Sequence, residues 1–321
     1  MFFCFIRSRM RVPHTRFFMK GSDDIVSEPL LGGEKPEADT VSLMGCKLSV
    51  WLGHLLGLIL HAVDFVVVLW ALVSVPPATG EFPLTRQATV WAPPGADGDQ
   101  SMVGGYSVHP SHLGASPLRL NIILPVFVLL ACLDHLVVLL AHHMPWEYLY
   151  KLPITERGAQ ARLVEYSVSA TLMTLAIAVE SGITDVYTLL CIGVLMSTCM
   201  LCGLFAEMVS QVSLSLAWFA HGLGWFTCLT AYAPILSVFI DSVQQSSVKP
   251  PNFVFALVFG EFLIFCSFGL LQAWYLYKLG APRKDPHLRA NTEMTFIAFS
   301  FFAKTFLVWI VLGPVLQSTK L

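Results

Sequence analysis

The sequence predicts an all-α membrane protein, a bundle of seven transmembrane helices with its amino terminus in the cytosol and its carboxyl terminus outside. Three observations carry this expectation. Apolar residues make up 55% of the 321-residue chain and charged residues 12%, too few charges to cover a water-facing surface of that size. Seven apolar segments each exceed the roughly 20 residues needed to cross hydrocarbon. Lysine and arginine concentrate on alternate connections between those segments, as the cytosolic side of membrane proteins requires.

Residues 1–47 mix basic residues with the stretch SDDIVSEPLLGGEKPEADT, which has no apolar periodicity and predicts a disordered cytosolic tail. Its opening MFFCFIRSRMRV has too short an apolar run for a secretory signal. A transmembrane domain is expected over 48–316, and residues 317–321 are a short outer tail. The first span is expected from Leu48 to Val75. A long outer loop over 76–117 follows, in which FPLTRQATVW alternates ahead of the turn-forming PPGADGDQ, so a β-hairpin can form there. The remaining spans are expected at Leu120–Met144, Glu156–Ile183, Asp185–Met208, Ser213–Ile240, Pro251–Tyr277 and Leu288–Leu316, joined by short links that make neighbours antiparallel.

The tail, the second, the fourth and the sixth connections together hold fourteen Lys and Arg residues, Arg162 among them, against four on the other side. That count places the amino terminus inside. G-protein-coupled receptors and ordinary microbial rhodopsins run the other way. A formal net charge of −2 with no basic stripe points away from nucleic acid. Cysteines such as Cys191, Cys199, Cys202, Cys228 and Cys266 lie within apolar runs and read as small core residues.

One basic residue remains, Lys304, near the middle of the last span in FIAFSFFAKTFLVWIVL. A charge at that depth costs roughly 2.5 to 3.5 kcal/mol on insertion scales and marks a functional candidate. A buried lysine tends to be neutral, and a neutral amine condenses with an aldehyde; the bland alternative is a structural ion pair. Glu165, in RLVEYSVSATLM of the third span, is the expected partner. The two alpha carbons differ in depth by about 9 Å, but a helical lysine leans towards its helix amino terminus, which carries Nζ towards Glu165. Ser300 lies one turn before Lys304, and Tyr166 and Ser169 flank Glu165. Phenylalanines crowd the sixth and seventh spans, with Trp225 and Phe226 on the fifth, a lining that suits a polyene and is also ordinary core material. His54, His61 and His135 are intramembrane, as are Asp64, Asp134 and Glu261, and such histidines can accept or relay protons.

Over residues 48–316 these features resemble the heliorhodopsins, retinal proteins of inverted topology. The matching motifs are Ser300 four residues before Lys304, the run Glu165-Tyr166-Ser167, the pair Leu60-His61, and His135. Departures are His54, Ala131 and Leu163, where asparagine, serine and tryptophan are usual, and Glu261, where a small polar residue is more typical. The resemblance implies a rhodopsin-like fold and all-trans retinal bound as a protonated Schiff base on Lys304, with Glu165 as counterion. Ser300, Tyr166, Ser169, Met173, Trp225 and Phe262 complete the expected cofactor site, and His61, His135 and Glu261 an expected proton cavity.

The leading expectation is a light sensor rather than an enzyme, a multi-pass membrane protein with the plasma membrane as its expected location, with retinal and lipid as partners, a homodimer, and a signalling partner of unknown identity. The alternative is a light-gated proton channel or transporter using Glu165 and Glu261. An intramembrane zinc hydrolase is disfavoured because the seventh span lacks histidine. A plain scaffold leaves Lys304 unexplained.

Overall fold

The computed structural model describes residues 40–43, 46–74, 81–92, 102–103, 106–141, 154–282, 285 and 287–318. The expected tail lies outside the described residues up to residue 39. Its last part is an antiparallel pair, β1 (Thr40–Leu43) and β2 (Cys46–Ser49), in the register Thr40 opposite Ser49. Residues 319–321 also lie outside.

Among the described residues seven helices follow: α1 (Val50–Val73), α2 (Leu120–Leu140), α3 (Ile154–Glu180), α4 (Val186–Val209), α5 (Leu214–Gln245), α6 (Asn252–Leu279) and α7 (Leu288–Ser318). Each has a stretch long and apolar enough to cross a membrane. Local chemistry sets their starts. Ser49 accepts a hydrogen bond from the Leu52 amide at 3.2 Å, Asp185 from that of Thr188 at 2.7 Å, and Ser213 from that of Leu216 at 3.3 Å. Each satisfies an amide that helical bonding leaves open.

Sequential helices pack side by side, and α1 also meets α7, so the bundle closes into a ring. α3 touches α1, α6 and α7 as well and has the most enclosed span; it is the central helix. Between α1 and α2 the chain forms β3 (Glu81–Ala92), β4 (Met102–Val103) and β5 (Tyr106–Arg119), an antiparallel ribbon in the order β3-β5-β4. Its register is irregular between Phe82 and Leu84, where Pro83 has no amide to donate. The Thr85 amide donates to the Thr184 carbonyl at 2.9 Å, which ties the ribbon to the α3–α4 turn. Gly182 in that turn takes φ +103°, a conformation other residues rarely adopt.

The two halves of the bundle differ in chemistry. The ribbon half holds the main apolar core, with Ile177, Ile192, Ile235, Leu257, Leu307 and Leu312 fully buried. The opposite half, where α1, α3, α5 and α7 begin, holds His54, His135, Arg162, Glu207, His221 and Glu293.

Candidate functional site

Lys304 on α7 and Glu165 on α3 are both buried, at 3% and 9% exposure. Lys304 Nζ lies 2.9 Å from Glu165 Oε1 and 3.1 Å from Oε2. It also stands 5.1 Å from the ring centroid of Tyr166. α3 supplies the anion and the aromatic face from consecutive residues because Glu165 and Tyr166 straddle its inward side. Desolvating two charges is costly, and the bidentate contact offsets that cost.

Lys304 opens onto a narrow cavity of about 40 Å³ between α3, α4, α6 and α7, bordered also by Ser169, Met173, Glu261 and Ser300. Glu261 is fully buried, and neither carboxyl oxygen has a hydrogen-bond partner; the Ser169 hydroxyl also has none. A second cavity of about 70 Å³ continues towards α5 and shares Tyr166, Met200, Phe265 and Phe268 with the first. Trp225 forms part of its far wall. The Trp225 indole donates to His221 Nε2 at 2.9 Å, which leaves His221 Nδ1 as the donor to Gln272 Oε1 at 3.0 Å. Gly269 makes room for the indole: a Cβ there would stand 2.6 Å from the ring.

On the other side of Lys304 lies a small polar cavity bordered by Asp134, His135, Arg162, Glu293, Ser300 and Lys304. His135 Nδ1 is hydrogen-bonded to His54 Nδ1 at 3.1 Å, and its ring stacks on His61 with centroids 5.6 Å apart. His54 Nε2 stands 3.8 Å from Glu293 Oε1. Arg162 is 3% exposed and pairs with Glu293 and, at 3.0 Å, with Glu207, while its guanidinium lies 3.9 Å over the Phe296 ring.

Most of the residues singled out in the sequence therefore converge: Lys304, Tyr166, Ser169, Met173 and Ser300 border one cavity, Glu165 holds Lys304 Nζ beside it, and Trp225 borders its extension. Phe262 does not border either cavity and packs instead on Tyr232, ring centroids 5.0 Å apart. His61 and His135 are together, whereas Glu261 faces the Lys304 cavity from α6 rather than joining them. Phe226, Phe259 and Phe302 are exposed on the outside of the bundle. Arg162 is not a charge of the second connection, as the side-by-side count had it, but an internal cation of α3. Glu293, His221 and Gln272 were not singled out; polar residues recurring at helical spacing with aromatics on α5, α6 and α7 were the available signal. Among the described residues no three metal-ligating side chains come together.

A family model described as Heliorhodopsin matches residues 99–316. No curated protein matches the chain. Among solved structures, cyanorhodopsin from the cyanobacterium Tolypothrix sp. NIES-4075 superposes with a TM-score of 0.57 at 13% identity, covering 85% of this chain and 98% of that one. A thermophilic rhodopsin superposes with a TM-score of 0.54 at 12% identity, covering 84% and 94%. At such identities the two structures speak for the fold, a seven-helix rhodopsin bundle.

Proposed function

The chain belongs to the heliorhodopsin family, whose members are retinal proteins, and on that premise we propose that it is a light sensor in which all-trans retinal forms a protonated Schiff base with Lys304. The observation that carries the reading is the 2.9 Å contact of a buried lysine Nζ with a buried carboxylate. Retinal, when bound, supplies the absorption of visible light and the isomerisation that follows. Glu165 holds the compensating negative charge on Lys304 Nζ in a setting of low dielectric. Tyr166 offers its ring face to the same cation. Met200, Phe265 and Phe268 separate the two cavities, and a chromophore larger than either void needs these side chains to turn aside; unbranched methionine and ring rotamers allow that. Trp225 limits the far end.

The test of Glu165 is spectral. Glu165→Gln is expected to displace the visible band and make it depend on added halide, because an external anion must then compensate the charge. An unmoved, halide-insensitive band excludes Glu165 as counterion.

A sensor is favoured over a transporter by the apolar core of the ribbon half, which interposes fully buried Ile and Leu between Lys304 and that end of the bundle. A light-gated proton channel using Glu165 and Glu261 is the second reading, supported by the unpartnered Glu261 carboxyl beside Lys304. Photocurrent in voltage-clamped cells that Glu261→Gln abolishes would favour the channel, and absence of current the sensor. We place the amino terminus in the cytosol: with Arg162 reassigned to the interior, the basic residues still divide thirteen to four. The reading also includes a homodimer, a signalling partner and no enzymatic turnover.

A further inference from the structure

Two small cavities meet at one ion pair. The cavity that reaches Lys304 is bordered by Arg162 and Glu293, and so is another on the far side, which Tyr275, Arg289 and Thr292 continue towards the helix ends opposite the ribbon. Arg162 and Glu293 are the residues these cavities share. Beside them, His135, His54 and Glu293 stand in line. Successive polar atoms are 3.1 Å and 3.8 Å apart, the first a hydrogen bond and the second a gap that one water or a small shift closes. Gly158 leaves that gap open: a Cβ there would lie 2.7 Å from His54 Nε2 and 2.8 Å from Glu293 Oε1. Glu293 Oε1 itself has no hydrogen-bond partner although the residue is buried.

We propose that His135, His54 and Glu293 form a proton relay from the Lys304 cavity to the bundle face opposite the ribbon, with Arg162 as its gate. The light trigger rests on the retinal reading above. A proton that leaves Lys304 Nζ enters the polar cavity and is taken up at His135 Nε2, while His135 gives its Nδ1 proton to His54 Nδ1. His54 passes its Nε2 proton to Glu293, whose carboxylate becomes a carboxylic acid and releases the proton to water in the outer cavity. No electrons move, and each imidazole ends neutral but in the other tautomer, which the returning proton reverses. While Arg162 holds Glu293, the guanidinium and the incoming proton compete for the same carboxylate. Because Arg162 also holds Glu207 at 3.0 Å, it can give up Glu293 without being left a buried, unpaired cation. Among the described residues, the other ionisable groups facing the relay include Asp134, 3.7 Å from His135 Nδ1, His61, stacked on His135, Tyr166 on the inner cavity, and Glu207, Tyr275 and Arg289 on the outer one. With apolar core towards the ribbon, the excursion is one-sided: the proton leaves and returns by the same face.

The experiment uses the full chain in nanodiscs. After a flash, a pH-sensitive dye in the surrounding water is expected to report transient proton release in the unaltered protein. In Glu293→Gln and in His54→Gln that release slows by about 100-fold or more, the lower end of what a positioned proton-transfer group contributes, while the visible band persists. Unchanged release in either variant, or no release from an unaltered protein that carries its visible band, overturns the relay. A second readout needs no chromophore: with 15N-labelled histidine in the retinal-free protein, Glu293→Gln is expected to shift the ring nitrogens of both His54 and His135 and to leave His221 in place. Unshifted His54 and His135 overturn the relay on their own. If no visible band forms, it is the retinal reading that fails, and the histidine spectra still decide the relay.

Discussion

At the scale of single residues, the account rests on the Lys304–Glu165 pair. Each charge is tolerable only because the other stands 2.9 Å away. Removing one partner of such a buried pair costs about 3 to 5 kcal/mol, because the other is left uncompensated, whereas replacing both by neutral residues of similar size can be nearly neutral. In the retinal-free protein, Lys304→Met and Glu165→Gln are each expected to lower the thermal midpoint clearly, and the double variant to regain most of the loss. Additive losses would contradict the pairing. Gly57 is a second test. A Cβ there would stand 2.5 Å from His135 Nε2, so Gly57→Ala should displace the ring that opens the relay and destabilise by about 1 to 3 kcal/mol. A variant with unaltered midpoint and histidine spectra would show that this packing is looser than described.

Lys304 and Glu165 were legible in the sequence because an isolated charge in a long apolar run has no cheap place to go. Arg162 and Glu293 were not, because each lies within two or three turns of its helix start, where a long charged side chain ordinarily reaches the headgroups. Only the packing of α3 against α4 and α7 shows that both turn inward. Phe262 shows a related limit: along a phenylalanine-rich helix, composition does not say which ring borders the cavity and which packs on a neighbour such as Tyr232.

At the scale of elements, the seven spans read from hydropathy coincide with α1 to α7, because twenty apolar residues in a row are a length signal that no loop imitates. The ends differ by a few residues: α5 runs to Gln245, five beyond the apolar run, and α2 stops at Leu140, four short of it. Hydropathy does not see caps. The caps make their own prediction. Asp185 accepts from both the Thr188 amide and its hydroxyl at 2.7 Å, so Asp185→Ala should cost about 0.5 to 2 kcal/mol, read as a lower thermal midpoint, whereas Asp185→Asn should retain most of the stability. Equal losses in both would assign the effect to charge rather than to capping. The Thr85–Thr184 backbone bond beside this cap adds a tether between ribbon and bundle that no side-chain pattern could announce.

At the scale of the whole molecule, the chain divides into an apolar half under the ribbon and a polar half at the other end. Arg162 is the hinge of the second half, joining α3 to Glu207 of α4 and Glu293 of α7, and Gln272 of α6 extends the network to His221 of α5. The seven-helix bundle was legible from span count and connection length, and its rhodopsin-like character from the resemblance carried by Lys304, Ser300 and Glu165. The division into halves was not, since it arises from how helices of alternating direction stack their residues at one depth. The central claim, that this bundle exists to hold a chromophore on Lys304, is tested most directly by visible absorption of the full chain reconstituted with all-trans retinal, alongside Lys304→Ala and exposure to hydroxylamine under light. The account predicts a visible band that is absent in Lys304→Ala and bleaches with hydroxylamine. Well-folded protein with no retinal-dependent band, or a band that survives in Lys304→Ala, would contradict it.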